Sequence, residues 1–496
     1  MEKLIHEMSA KYEDYLSDES RLKGMAESIS FPKTLEEIKW IVDEMNKKKE
    51  TITIQGGKTG ICGGCVPNSG HILNLKNFNR ILEVEEKDGE YFLNLEAGVT
   101  LGDLKEFLRK NFSSKYLNGK NKQYVFPIEP TEKNATLGGI ISTNAKGIFS
   151  EYYGEIKDYL EEVVFLTAKG DILTINKNDD IKKFSKYLNF YQQDLEIYSK
   201  LFKGIESSNL LDIIIGSEGI YGIIISLKIR IVEKISKQWG LLFNMDCISQ
   251  LYFINNIKKM EHKKLGIVSL EYFDENSLKL LKSVKEINEK LQELPDFQCE
   301  NKSLTYLEIH RETDEEVEET ASQIMELAFE AGCEEEFMWA LSEDEGLEKF
   351  RNLRHFLPEL INMKLDKVNN GEFIIHKLSS DMYFKNKDML QTINFYKSIC
   401  NEKKLEYYIF GHALGTHLHI NILSKNQKEF EEGKLIFENW VENSKLTVNN
   451  IFHEHGIGKI KVNQLNKVLS NNELEKLKSL KFAFDENYLL NVGNKF

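Results

Sequence analysis

The first hundred residues predict a mixed fold of strands and helices, α+β or α/β, and three observations carry that prediction. Short β-rich runs alternate there with capped helical stretches. Glycine-rich segments stand beside apolar strand residues at three places before residue 225. Near residue 417 polar and apolar side chains alternate with a period of two.

Phe31 to Val42 reads as a strand end followed by a helix. Thr34 is placed to be its N-cap, and Glu37 follows three residues later, the spacing of a capping box. Thr51 to Gln55 is a β-rich run that enters a glycine cluster. Strand signals follow at Ile72 to Leu75, Ile81 to Val84 and Tyr91 to Glu96, and Thr100 to Lys110 reads as a helix. Val163 to Leu166 is a strand, Lys169-Gly170-Asp171 its turn and Ile172 to Ile175 the return. Ile213 to Val232 is expected to supply buried β structure around Gly216, Gly219 and Gly222.

From about residue 234 the glycines thin out, and a domain boundary is placed there. Strands such as Ile267 to Tyr272 and Thr305 to Ile309 alternate with charged helices such as Asp314 to Ala331. The acidic runs at Glu315-Glu316, Glu318-Glu319 and Glu334 to Glu336 read as solvated helix faces. Residues 470 to 482 read as a terminal helix.

A chain of 496 residues has room for two or three domains. With 41% apolar and 29% charged residues it has the composition of a soluble globular protein. A formal charge of −14 argues against a nucleic-acid partner, which needs a basic face. Met1 to Tyr15 has no apolar h-region, so no secretory signal is expected. The most apolar stretch, Leu210 to Val232, is broken by Asp212, Glu218 and Lys228 and reads as no membrane span. Six cysteines make no disulfide framework, which suggests a reducing, cytoplasmic setting. Cys62 and Cys65 form a CxxC that is better explained by small side chains filling a glycine-rich loop than by a metal.

Chemistry is concentrated in two short segments. Residues 411 to 421 read GHALGTHLHIN and 453 to 459 read HEHGIGK, and together they hold five of the eleven histidines. His417, His419 and Asn421 share one face of a predicted strand, with Leu418 and Ile420 on the other. His412 stands at an odd offset, so a turn at Gly415 is needed to bring it beside His419. Neutral imidazoles with a carboxylate such as Glu454 form a common ligand set for a catalytic divalent metal. The same residues also read as solvated or hydrogen-bonded histidines.

The glycine-rich segments point elsewhere. Gln55 to Cys65 carries five glycines in eleven residues, a density that lets backbone N–H groups converge on an anion. It is neither a P-loop nor a GxGxxG: no glycine stands five residues before Gly57-Lys58-Thr59. With Ala135 to Gly147 and Ile215 to Ile224 it suggests one extended, phosphate-bearing ligand wrapped by several backbone stretches.

Taken together these segments resemble the FAD-binding oxidoreductases of the vanillyl-alcohol oxidase type. The resemblance is greatest to the FAD-linked 2-hydroxyacid dehydrogenases: D-lactate dehydrogenase, D-2-hydroxyglutarate dehydrogenase and the flavin subunit of glycolate oxidase. It covers nearly the whole chain, including loop 55–65, Pro127 to Asn144, Gly216 to Ile223, both histidine segments and the tail Phe484 to Gly493. It implies an α+β fold: a two-subdomain FAD-binding domain to residue 233, a cap domain with a large antiparallel sheet from 234 to 450, and a segment 451–496 that returns to the FAD domain. It implies non-covalent FAD held by Gln55, Gly56, Gly57, Lys58, Thr59, Gly60, Gly63, Gly64, Pro130, Thr131, Thr136, Gly138, Gly139, Thr143, Asn144, Glu218, Gly219, Gly222, Ile223, Ile224 and Asn491. It implies a divalent metal (zinc, iron or manganese) on His412, His419 and Glu454, with His455 as general base, Asn421 at the substrate and Arg354 on the substrate carboxylate.

The chain departs from the family pattern at several positions. Leu414-Gly415-Thr416-His417 replaces Gly-Asp-Gly-Asn, which makes His417 either a further ligand or a strand residue. Lys58 replaces a glycine and is suited to pair with a phosphate, Gln55 replaces an arginine, and Val492 replaces a proline. Asn370 stands at about the place of a lysine, which favours a D-lactate-like monocarboxylate over a dicarboxylate. The implied reaction is oxidation of a D-2-hydroxy acid to the 2-oxo acid. A quinone, an electron-transferring flavoprotein or another protein is the electron acceptor. The alternatives are an oxidase using O₂, the flavin subunit of an electron-transfer complex, and a flavin-free zinc hydrolase. The hydrolase would leave the glycine segments unexplained.

Overall fold

The computed structural model describes residues 4–112, 116, 122–184, 210–342, 344–369, 375–384, 388–444 and 451–496. The chain forms two compact units. The first comprises Met1–Lys146, Glu155–Glu233 and Phe452–Phe496, and the second Gly147–Gly154 and Lys234–Ile451.

The first unit contains two sheets. One runs Ile5–Glu7, Ser28–Ser30, His71–Asn74, Ile52–Gln55 in spatial order; its first pair is antiparallel and the others are parallel. The other is antiparallel, in the order Ile81–Lys87, Glu90–Glu96, Gly222–Glu233, Leu160–Thr167, Ile172–Asn176, with Tyr124–Val125 also paired to Gly222–Glu233. Helix Leu35–Lys48 buries Ile38, Ile41, Val42 and Met45, one stripe at helical spacing. The Thr34 hydroxyl accepts from the Glu37 N–H at 3.2 Å, as its spacing predicts. The reciprocal bond is shifted by one residue, since the Glu37 carboxylate accepts from the Lys33 N–H. Helix Leu101–Phe107, capped by Thr100 and Asp103, continues as a π-turn to Phe112.

The stretch from Ile213 is only partly β. Leu210–Ile214 is a helix, and the strand begins at Gly222. Between them Gly216, Glu218 and Gly219 take positive φ (75°, 55° and 71°), so the apolar run cannot stay extended.

The second unit is built on a seven-stranded antiparallel sheet in the order Met338–Ser342, Lys237–Asp246, Lys302–Arg311, Ile267–Phe273, Glu406–His412, His417–Leu423, Leu378–Ser379. Strands Glu406–His412 and His417–Leu423 form a hairpin in which His412 faces His417 directly. Its turn spans residues 413–416, where the offset between the histidines requires one. Every residue of His417–Leu423 is buried, so the polar face is covered as well as the apolar one. Helix Asp314–Glu330 carries the reciprocal cap of Thr313 and Glu316, and Glu315, Glu318 and Glu319 are exposed as expected. Helix Asp344–Val368 holds Arg351 and Arg354. Asn370 lies outside the described residues.

Candidate functional site

In the first unit the three glycine-rich segments form one neighbourhood. The Gly216 N–H donates to Ile141 O and the Glu218 N–H to Ser142 O, which joins the second segment to the third. A Cβ on Gly56 would lie 2.1 Å from the Thr136 hydroxyl and one on Gly57 2.0 Å from Asn134 O, which joins the first to the second. Thr136 caps helix Leu137–Thr143 by accepting from the Gly139 N–H, and the Thr143 hydroxyl donates to Gly139 O.

Several side chains of these segments bond within the protein. The buried Gln55 amide donates to Tyr15 O and Cys65 O, both at 2.8 Å. The Glu218 carboxylate accepts from the N–H groups of Ile457 (2.8 Å) and Gly458 (2.7 Å). Asn491 accepts from the Ile54 N–H at 2.7 Å and donates to Glu218 O at 2.6 Å. These three tie the loops to one another. Lys58 takes a positive φ, and its ammonium donates to Asp14 O and lies 4.7 Å from the Tyr15 ring centroid. Gly138 and Gly222 are explained by packing, because an added Cβ would lie 2.7 Å from the Ala97 methyl and 2.4 Å from the Phe165 ring. Ile223 and Ile224 are buried strand residues beside them.

Gly60 and Gly64 differ from these. An added Cβ would meet nothing closer than 4.0 Å at Gly60 and 3.7 Å at Gly64, and neither residue takes a positive φ. The fold therefore does not itself require glycine at these positions; a group seated against the loop would. Thr59, Pro130 and Thr131 are half-buried on the same segments, and Gly63 combines a φ of 71° with a close approach to Leu22. The buried Asn144 Oδ1, at the left-handed cap of helix Leu137–Thr143, has no hydrogen-bond donor among the described residues. Open glycines and an orphaned acceptor fit an extended polar cofactor lying on backbone.

Burial perturbs the charges beside this loop. It raises Asp18 to about 6 and lowers Lys459 to about 8. It also pushes the Cys65 thiol well up, which makes that thiol a poor nucleophile. Cys62 and Cys65 are free thiols that donate to Gly456 O and Asp18. Glu454 and His455 belong to this unit. They stand on the segment whose Ile457 and Gly458 N–H groups Glu218 holds, and His453 beside them lies 3.1 Å from the Lys146 ammonium.

In the second unit the polar face of the sheet assembles a second group. Residues directly opposite in antiparallel strands share a face. Glu271 is opposite His412, His412 opposite His417, Phe410 opposite His419 and Tyr408 opposite Asn421. The rings of His417 and His419 are 4.6 Å apart, those of His412 and His417 5.8 Å, and those of His412 and His419 6.1 Å. One nitrogen of each lies within 4.8 Å of those of the other two. Each also meets an acceptor: Glu271 at His412 Nδ1 (2.5 Å), Asp381 at His417 Nε2 (3.3 Å) and Ser380 O at His419 Nδ1 (3.1 Å). Ligating histidines are oriented this way, so the residues present fit a divalent metal. Asn421 is buried, and neither its oxygen nor its nitrogen has a partner among the described residues.

Arg354 is also buried. Its Nε donates to Glu271 Oε2 at 3.0 Å, and the guanidinium lies 5.0 Å from the Phe410 ring centroid. Glu271 therefore bridges His412 and Arg354. Arg351 pairs with Glu308, and Lys364 with Glu406 at 2.7 Å, so the helix sets a cation against a carboxylate on three successive strands. Burial alone would raise Glu308, but Arg351 and His310 outweigh it and hold the carboxyl low. The sequence reading missed Glu271, Glu308 and Asp381. For Glu271 there was one signal, a lone carboxylate in the apolar run Ile267 to Phe273.

Comparison with known proteins places this architecture. The signature described as FAD binding domain matches residues 26–176, and that of the C-terminal domain of FAD linked oxidases matches residues 252–494. The D-2-hydroxyglutarate dehydrogenase of Stutzerimonas stutzeri is 24% identical over 475 residues, covering 95% of this chain and 90% of its own length. The D-lactate dehydrogenase of Anaerostipes hadrus is 25% identical over 504 residues (97% and 92%), and the glycolate oxidase subunit GlcD of Bacillus subtilis 24% identical over 481 (96% and 90%). A solved alkyldihydroxyacetonephosphate synthase shares the fold at 16% identity, with a TM-score of 0.64 over 98% of this chain and 82% of that one. The chain belongs to the FAD-linked oxidase family. It is an FAD-linked oxidoreductase of the branch that holds the D-2-hydroxyacid and glycolate dehydrogenases.

Proposed function

We propose that the protein oxidises a small D-2-hydroxy acid to the 2-oxo acid, with a D-lactate-like monocarboxylate preferred over a dicarboxylate. The observation that carries this reading is the shared carboxylate of Glu271. It sets a buried guanidinium, the anchor a carboxylate substrate needs, beside a cluster of imidazoles. One of Arg354's five N–H donors is used on Glu271, which leaves the rest of the fork for a substrate carboxylate. Arg351 and Lys364 face carboxylates of their own, which disfavours a second negative charge on the substrate.

In this reading the loops at Gly56 to Gly64, Thr136 to Asn144 and Gly219 hold FAD, while His412 and His419, with Glu454 as the carboxylate, hold the metal. When bound, FAD supplies a hydride acceptor and the metal a Lewis acid. Arg354 orients the acid by its carboxylate. Asn421 offers a buried amide to the substrate's polar groups. His455 takes the hydroxyl proton, a task for a base whose pKa lies near ~7. The electron acceptor in this proposal is a quinone or an electron-transferring protein.

The test is anaerobic bleaching of the flavin by a panel of 2-hydroxy acids. D-Lactate should reduce it faster than D-2-hydroxyglutarate, and the L-isomers should be inert. Faster reduction by the dicarboxylate would overturn the substrate preference, and stoichiometric peroxide under air would make the protein an oxidase.

A further inference from the structure

We infer that His417 is a metal ligand in its own right, so that the hairpin presents three imidazoles rather than two. This deepens the metal reading above and rests on it. His417 stands where the family pattern has asparagine, and the strand pairing puts it on the face that carries His412 and His419. Its ring is closer to His419 (4.6 Å) than His412's is (6.1 Å), and a nitrogen of each of the three lies within 4.8 Å of the others. It also meets an acceptor, as the other two do. Its Nε2 faces the carboxylate of Asp381, and both residues are only 2% exposed. A carboxylate behind one imidazole nitrogen fixes the ring and turns the opposite nitrogen to donate. Three imidazoles at this spacing are arranged to share a cation.

A third imidazole also changes which cation is favoured. Nitrogen-rich sites suit zinc and iron, whereas oxygen-rich ones suit manganese. His417 therefore tilts this site toward zinc or iron.

The experiment uses the full-length, FAD-loaded protein and reads metal binding directly. Wild type, His417→Asn, His417→Gln and Asp381→Asn are stripped with chelator, titrated separately with zinc and manganese, and checked by elemental analysis, with bound FAD reporting an intact fold. Both His417 variants should bind zinc at least about tenfold more weakly, with manganese changed less, and Asp381→Asn should shift zinc affinity the same way by a smaller factor. Zinc affinity unchanged in both His417 variants, while His419→Ala loses zinc, would make His417 a strand residue and leave the metal reading standing. A wild-type protein that binds neither metal would overturn both.

Discussion

The two units build their sites from different material. The first uses backbone: glycines keep the loops bare, and the side chains of Gln55, Glu218 and Asn491 hold loop to loop. The second uses side chains standing on a rigid sheet, each oriented by another side chain or a carbonyl, as Glu271 orients His412 and Arg354. The difference teaches where each site is vulnerable. A backbone site tolerates changes of chemistry and fails when bulk is added. A side-chain site tolerates neither loss of a functional group nor loss of its support.

The largest effect is expected at the proposed base. His455→Asn should keep FAD and metal while flavin reduction slows by ~10²–10⁴-fold, measured by stopped flow. Reduction at the wild-type rate would remove His455 from the role. Arg354→Ala should weaken transition-state binding by on the order of 2–5 kcal/mol in kcat/KM, because it removes the substrate's partner and takes the guanidinium away from the buried Glu271. Arg354→Lys should recover only part, since a point charge does not replace the fork.

Gly64→Val tests the backbone side of the comparison. Its side chain would enter the open side of the loop, so bound FAD should be lost while the apo-protein keeps its melting temperature. Gly222→Val should instead destabilise the apo-protein, because the Phe165 ring already fills that space. If both variants melted alike and kept their flavin, the distinction between cofactor-facing and packing glycines would fail.

The smallest effect separates the units by pH. His71, fully buried between the Ser28 and Ser30 hydroxyls of the first unit, is lowered by burial from 6.5 to about 4. A folded value below the unfolded one means that the unfolded chain binds the extra proton between those limits. Stability is therefore full above pH 6.5 and lost as pH falls toward 4, by roughly 2 kcal/mol between pH 7 and 5. Flavin release on acidification should track this loss, and His71→Gln should flatten it. An unchanged pH profile in that variant would assign the acid sensitivity elsewhere.

Features encoded over a few residues were legible in the sequence. The Thr34 cap and the His412-to-His417 turn follow from local spacing, because the chemistry that makes them spans three to six residues. Glu271 was not legible as a partner. It meets His412 only because strands 141 residues apart pair, and no local pattern announces that register. The helix at Leu210–Ile214 was hidden for another reason: an apolar run reads as buried strand or buried helix alike, and the positive φ at Gly216 and Glu218 decides between them. The Lys58 ammonium donates to Asp14 O, a contact between residues 44 apart that no local pattern announces.

Glu218 and Asn491 have a consequence for how the chain is made. The loops that open at Ile54 are closed by residues of the last segment: Asn491 on the Ile54 N–H, and Ile457 and Gly458 on Glu218. On the ribosome the first unit therefore emerges without its fastenings, and more than two hundred residues of the second unit are synthesised before they arrive. The contacts that complete the glycine loops are among the longest in sequence and the last to become available, which makes them slow to form. The flavin-side loops of this protein can close only after its second unit has been made.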